Sequence, residues 1–191
     1  MTKTMVMAIV AAAILVAGCT PQPADENKAR ASTPKAPTKA TAQPSDAADV
    51  SAVAINLAGG EKKKISDYAG KVVVLDFWAT YCKPCIEKLP KLEAAEKKWG
   101  PGVVVIAVTT DPDLGTATGW AKAHKMGLPI AEYTDEMQKV FFKGEETVAI
   151  PQTRVIDQSG KLAKSWGPDG THEELEQEVQ ALLADAGKSK G

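Results

Sequence analysis

The feature that most restricts this chain is the run Lys71–Trp78, in which Val72, Val73, Val74, Leu75 and Phe77 surround a single carboxylate, Asp76. A strand with one face in water alternates apolar with polar residues. A strand apolar on both faces therefore belongs in the middle of a sheet covered on both sides. The flanking pattern supplies the covers. Val53, Ile55 and Leu57 alternate as a half-buried strand, Gly59-Gly60 turns the chain, and Lys62–Ile65 returns as a second short strand whose lysines form a solvated edge. Ser66-Asp67-Tyr68 makes a short helical turn. A helix is predicted from near Cys82 to about Trp99, kinked at Pro90 and broken at Gly100-Pro101-Gly102. Val103–Val108 is a second buried strand, residues 119–126 a helix and Leu128–Tyr133 a short strand. Asp135–Phe142 follows as a helix capped by Asp135. Thr153–Ile156 and Lys161–Trp166 form a hairpin, and His172–Ala184 is a helix with Leu175, Val179, Leu182 and Leu183 on one face. Strands alternating with helices, then a hairpin and a last helix, indicate an α/β fold with a central mixed β-sheet flanked by helices.

The chemistry concentrates where the central strand ends, at Trp78-Ala79-Thr80-Tyr81-Cys82-Lys83-Pro84-Cys85. A cysteine at a helix N-terminus sits among unpaired N–H groups and the positive end of the helix dipole, and both favour thiolate over thiol. The spacing puts Cys85 in the first turn, within disulfide reach of Cys82. Cys82 is expected to be the exposed nucleophile and Cys85, one turn deeper, the resolving thiol. A lone C-x-x-C is also half a zinc site. The sequence has no second cysteine pair, and His124 and His172 fall in separate predicted helices, so no metal is assigned. Asp76 shares strand parity with Val72, Val74 and Trp78, and a carboxylate buried there would be hard to ionise. Trp99, Trp120 and Trp166 are scattered and read as packing residues.

These residues resemble the active site of the thioredoxin superfamily, in particular the membrane-anchored TlpA/ResA-type thiol–disulfide oxidoreductases with a redoxin-like domain. The usual pattern there is a strand, F-W-A-x-W-C-x-P-C, and a helix with proline five residues after the second cysteine, matched here by Pro90. Tyr68, Gly70-Lys71 and Ile150-Pro151-Gln152-Thr153-Arg154 extend the likeness, which covers about residues 50–184. The resemblance implies a thioredoxin-like fold with an N-terminal β-hairpin and a helix–strand insertion at about residues 111–133, a cis bond before Pro151, and no cofactor. It also implies a general-base role for Asp76 toward Cys85, and a substrate-binding surface of Trp78, Tyr81, Pro84, Ile150 and Pro151. Two residues depart from the family pattern. Tyr81 stands where a tryptophan is usual and is expected to pack as an aromatic wall, and Lys88 stands where a glutamate is frequent.

The chain has 191 residues, room for one domain of roughly 100–200 residues plus extensions. Residues 1–18 read as a signal peptide: Lys3 precedes a 13-residue apolar run, Met5–Ala17, too short for a comfortable membrane span. Val16-Ala17-Gly18-Cys19 resembles the lipobox of bacterial lipoproteins, which implies acylation at Cys19 and, with several acyl chains, stable anchoring. Residues 19–49, rich in Ala, Pro and Thr and without aromatics, read as a disordered tether, and residues 50–187 as the folded domain. A formal net charge of −1 offers no electrostatic ground for nucleic-acid binding.

Together these readings describe a monomeric thiol–disulfide oxidoreductase on the periplasmic side of a bacterial membrane, acting on protein disulfides or thiols and recharged by a membrane electron-donor protein. A role in cytochrome c biogenesis is family analogy. Three rivals stand beside it: a disulfide-forming oxidase, a copper-delivery module using Cys82, Cys85 and a residue such as His124 or Met126, and a peroxidase. The last normally needs a threonine where this chain has Ala79.

Overall fold

A computed structural model describes residues 48–143 and 147–188. The leader, Cys19 and nearly all of the tether lie outside the described residues. Ala48 and Asp49, assigned above to the tether, are joined to the domain: the Leu162 N–H donates to the Ala48 carbonyl, and Asp49 bridges to Lys161.

A small antiparallel hairpin, β1 (Ala54–Asn56) and β2 (Lys62–Lys64), precedes the central strand β3 (Val72–Trp78). Helix α1 (Lys83–Trp99), strand β4 (Val103–Thr109), helix α2 (Leu114–Ala123) and strand β5 (Ile130–Glu132) follow. Helix α3 (Asp135–Phe141), strands β6 (Gln152–Ile156) and β7 (Leu162–Trp166), and helix α4 (His172–Lys188) complete the chain. The main sheet has the order β5-β4-β3-β6-β7, with β3, β4 and β5 parallel, β6 antiparallel to β3 and β7 antiparallel to β6. This is a thioredoxin-like α/β fold with a mixed sheet flanked by helices.

Every residue of β3 is buried, as a strand apolar on both faces requires. Its two faces look into separate cores. Val72, Val74 and Trp78 pack with Cys85, Leu89 and Leu92 of α1 and with residues of α2 and α4. Val73, Leu75 and Phe77 pack with the hairpin's Ile55, with Ile65, and with Met137 and Phe141 of α3. Each fully buried aliphatic or aromatic side chain contributes about 1.5–3 kcal/mol. The sheet is thus held from both sides, and its C-terminal end is a rigid base for the turn into α1.

Two helix boundaries differ from expectation. Helix α2 starts at Leu114, not near residue 119, because Asp113 caps it by accepting the Gly115 and Thr116 N–H groups. The Gly- and Thr-rich first turn carries no apolar period, so only the cap marks it. Helix α3 is capped by Thr134, whose hydroxyl accepts the Met137 N–H at 3.2 Å, and not by Asp135. Helix α1 runs without interruption through Pro90, which lies on its exposed side, where water can reach the carbonyl that a proline leaves unpaired.

Candidate active site

Cys82 is the N-cap of α1, in extended backbone, and its sulfur accepts the Cys85 N–H at 3.3 Å. Lys83 and Pro84 open the helix, where a proline costs no hydrogen bond. Cys82 and Cys85 form a disulfide with their Cα atoms 5.3 Å apart. Cys82 is 7% exposed and Cys85 0%. Cys82 is therefore the more open of the two, but it is not the exposed residue expected, because the bond to Cys85 draws its sulfur inward against the core around Trp78 and Ala79.

The turn that delivers Cys82 is pinned by the end of β4. The Cys82 N–H donates to the Ala79 carbonyl at 3.0 Å, and the Thr110 N–H to the Trp78 carbonyl at 2.8 Å. The Asp111 carboxylate accepts the Thr80 N–H at 3.0 Å, the Thr80 hydroxyl at 2.9 Å and the Thr109 hydroxyl at 2.9 Å. Asp111 was not singled out from the sequence. Its one signal was its place just beyond a buried parallel strand, on the side where loops gather.

Asp76 is fully buried on the face of β3 that carries Val72, Val74 and Trp78. Its Oδ1 accepts a hydrogen bond from the Lys88 ammonium at 2.5 Å and one from the Thr153 hydroxyl at 2.9 Å. Its Oδ2 has no hydrogen-bond partner among the described residues. Burial pushes the carboxyl above the usual range, and the Lys88 charge and the two hydrogen bonds oppose that rise without cancelling it. Thr153 is the register partner of Asp76 across the β3–β6 pair. Neither Lys88 nor Thr153 was read as part of the site. The spacing of Lys88, three residues beyond Cys85 on the same helix, was the available signal.

The Ile150–Pro151 bond is cis. Since β6 pairs with β3 through Phe77↔Gln152, Pro151 lies at the same end of the sheet as the turn to Cys82. The proposed substrate surface divides. Tyr81 is 73% exposed, so its ring stands mostly in solvent and not packed as the expected wall. Pro84 is exposed, Ile150 half-buried and Pro151 buried. Trp78 is 0% exposed, packed on Trp120 with ring centroids 5.2 Å apart, and cannot touch a substrate, which removes it from that surface. Trp99, Trp120 and Trp166 pack against the same core, as expected. His124 stacks on Trp120 at 4.0 Å, and its Nδ1 bonds the Trp120 carbonyl. Among the described residues no group of three His, Cys, Asp or Glu side chains converges as a metal site.

Residues 44–165 match the AhpC/TSA family. The chain is 28% identical over 125 residues to the thiol-disulfide oxidoreductase ResA of Bacillus thuringiensis, covering 64% of this chain and 70% of that protein. It is 30% identical over 125 residues to the ResA of Bacillus cereus, with the same coverage of 64% and 70%. A crystal structure of a DsbF homologue from Corynebacterium diphtheriae aligns with a TM-score of 0.63 over 72% of this chain and 88% of that one, at 21% identity, a likeness of fold alone. Because the family match takes in the central sheet and the disulfide alike, the chain belongs to the AhpC/TSA family and is a thioredoxin-like thiol–disulfide oxidoreductase.

Proposed function

We propose that this oxidoreductase reduces disulfides in other proteins outside the cytoplasm, tethered by lipid at Cys19. The Cys82 thiolate attacks one sulfur of a substrate disulfide, and the other leaves as a thiolate that takes up a proton. Asp76 accepts the proton of Cys85, whose sulfur then attacks Cys82. The Cys82–substrate bond breaks, the second substrate sulfur leaves as thiol, and the enzyme is left with the Cys82–Cys85 disulfide. One substrate disulfide gains two electrons and the enzyme dithiol loses two. A dithiol donor, in the cell a membrane partner, restores the reduced form.

The observation that carries this division of labour is the contrast at the helix start: Cys82 caps α1 and keeps some exposure, while Cys85 is sealed in the core against the face of β3 on which Asp76 is buried. A thiol sealed in an apolar core ionises poorly without a base nearby. Tyr81, Pro84 and Ile150 are the groups able to meet a protein substrate around Cys82.

A disulfide-forming oxidase is the second reading. The first turn of α1 has Lys83 and no acidic residue, which favours the thiolate and raises the potential. That charge is spread into solvent, since Lys83 and Glu87 lie 4.0 Å apart with side chains 88% and 65% exposed. The potential of the Cys82–Cys85 couple separates the two readings, about 30 mV corresponding to about 1.4 kcal/mol. A reductase has a low potential and reduces insulin with dithiothreitol as donor; a potential in the range of strong oxidants, with rapid oxidation of reduced unfolded proteins, assigns the oxidase. The location rests on Val16-Ala17-Gly18-Cys19, and no helix among the described residues is long and apolar enough to cross a membrane. Cys19→Ser is expected to release the protein from membranes with its thiol chemistry intact. Full retention on membranes after a high-salt wash contradicts the anchor.

A further inference from the structure

The reaction above assigns Asp76 to the proton of Cys85, and the following inference rests on that assignment. A carboxylate at 0% exposure, on a face of the sheet covered by apolar side chains, is ordinarily held neutral by its surroundings. A neutral carboxyl cannot take a proton from a thiol. The structure contains one device that works against this. Lys88 reaches from α1 to the buried Oδ1 of Asp76 and also donates to the Thr153 hydroxyl, at 2.5 Å in each case. Its own side chain is 19% exposed, so its charge keeps contact with water while the carboxylate has none.

The groups facing Asp76 leave no substitute for this charge. Strand β4 presents Ala107 beside it and β6 presents Thr153. On that face of β3, helix α1 packs Cys85 and Leu89 with Val72, Val74 and Trp78 and sends Lys88 to Asp76, and α2 and α4 bring apolar side chains to the same core. Arg154, the next residue on β6, lies on the opposite face against Phe77 and Phe142. Lys88 is the one charged group found acting on Asp76 among the described residues.

We infer that Lys88 is a positioning residue for the resolving step: with Thr153 it fixes one oxygen of Asp76 and holds the carboxylate in its charged form, leaving Oδ2 free of hydrogen bonds and ready to accept the Cys85 proton. Lys88 touches neither sulfur nor substrate; it acts through Asp76. The arrangement also ties α1, which carries the cysteines, to β3 and to the strand that follows the cis-proline. Substituting Lys88 lowers the fraction of ionised Asp76 at a given pH, so the resolving step needs a higher pH, while the first attack by Cys82 does not.

The test uses the full reduced chain mixed with glutathione disulfide, quenched in acid at set times and across a pH series. Mass spectrometry reads the glutathionylated intermediate and the final Cys82–Cys85 disulfide, which gives both rates. Lys88→Met keeps the stem and removes the charge; Lys88→Arg keeps the charge. In Lys88→Met the pH midpoint of resolution is expected to rise by about one unit, with resolution about tenfold slower below the midpoint, as follows when each unit is a tenfold change in the ionised fraction. Its rate of intermediate formation stays within about twofold, and Lys88→Arg restores most of the midpoint. Asp76→Asn slows resolution and removes the midpoint altogether. If Asp76→Asn does this but Lys88→Met and Lys88→Gln keep the wild-type midpoint, the role of Lys88 is overturned and that of Asp76 stands. If Asp76→Asn leaves resolution unchanged, the assignment of Asp76 falls, and this inference with it.

Discussion

Two charged residues sit side by side in the middle of the sheet, on neighbouring strands and opposite faces, and the protein treats them differently. Arg154 of β6, paired in register with Leu75, is 5% exposed. It donates to the carbonyls of Thr153, Phe141 and Trp166 and to the Gln152 side chain, with its guanidinium 4.6 Å from the centre of the Phe142 ring. Asp76 of β3, paired with Thr153, has one oxygen with two donors and another with none among the described residues. Both side chains cost free energy to bury, but the arginine is bonded on several sides and the carboxylate on one. A buried ion tied to backbone carbonyls is a structural fastening. A buried acid with one oxygen unbonded among the described residues, and joined through Lys88 to the helix that carries the disulfide, can change its protonation state. On this comparison the face toward α3 is the frame of the molecule, and the face toward α1 is the working side.

The largest expected effect separates the working side from the frame. Cys82→Ser is expected to cut disulfide reduction by about a thousandfold or more, the scale seen when an enzyme loses its nucleophile, with little change in far-UV circular dichroism. Arg154→Met should do the reverse. It strands buried carbonyls and loses a desolvated cation–π contact, at a cost of about 3 kcal/mol in chemical denaturation. Turnover per folded molecule should stay near wild type. Slow turnover in stable Arg154→Met protein would mean that the frame also takes part in the chemistry.

The next effect sharpens the contrast through pH. The folded state holds the Asp76 proton more tightly than the unfolded chain does. Between the ordinary carboxylate range and the folded midpoint, the native state therefore binds more protons, and this group's contribution to stability falls as pH rises through that window. Asp76→Asn does not titrate. Its stability relative to wild type is expected to grow on going from pH 4 to pH 8, as the wild-type carboxyl gives up the proton that the fold retains. Parallel pH–stability curves for the two proteins would show that the carboxyl is not perturbed. The smallest effect is at Tyr81. Its side chain is 73% exposed, so Tyr81→Ala should change stability by no more than about 0.5 kcal/mol. It should raise KM a few-fold for a protein substrate and leave reaction with glutathione disulfide unchanged.

Much of the working side could be read from the sequence because its signals are local. The paired cysteines, the apolar strand before them and the proline after Ile150 each lie within a few residues, and the parity of Asp76 along β3 puts it on the buried face shared by Val72, Val74 and Trp78. What escaped depends on distance through the fold. Lys88 and Asp76 are separated by a turn and a helix start, and the spacing of Lys88 from Cys85 gives its helix position but not its partner on β3. Asp111 finds Thr80 only because β4 runs parallel to β3. Trp78 reads as a contact residue because it is aromatic and near the cysteines, yet Trp120, on α2, encloses it. Arg154 carries no local sign of its burial, which comes from Phe142 and the β7 carbonyl of Trp166 closing on it.

The most direct test of the central claim is to identify which cysteine holds the substrate. The full chain carrying Cys85→Ser, and separately Cys82→Ser, is reduced, mixed with a disulfide-containing protein such as insulin, acid-quenched, alkylated and mapped by mass spectrometry. The division of labour described here predicts abundant mixed disulfides through Cys82 in Cys85→Ser and few in Cys82→Ser. Accumulation through Cys85 in Cys82→Ser, with none in Cys85→Ser, would reverse the roles of the two sulfurs and leave Asp76 and Lys88 beside the wrong step.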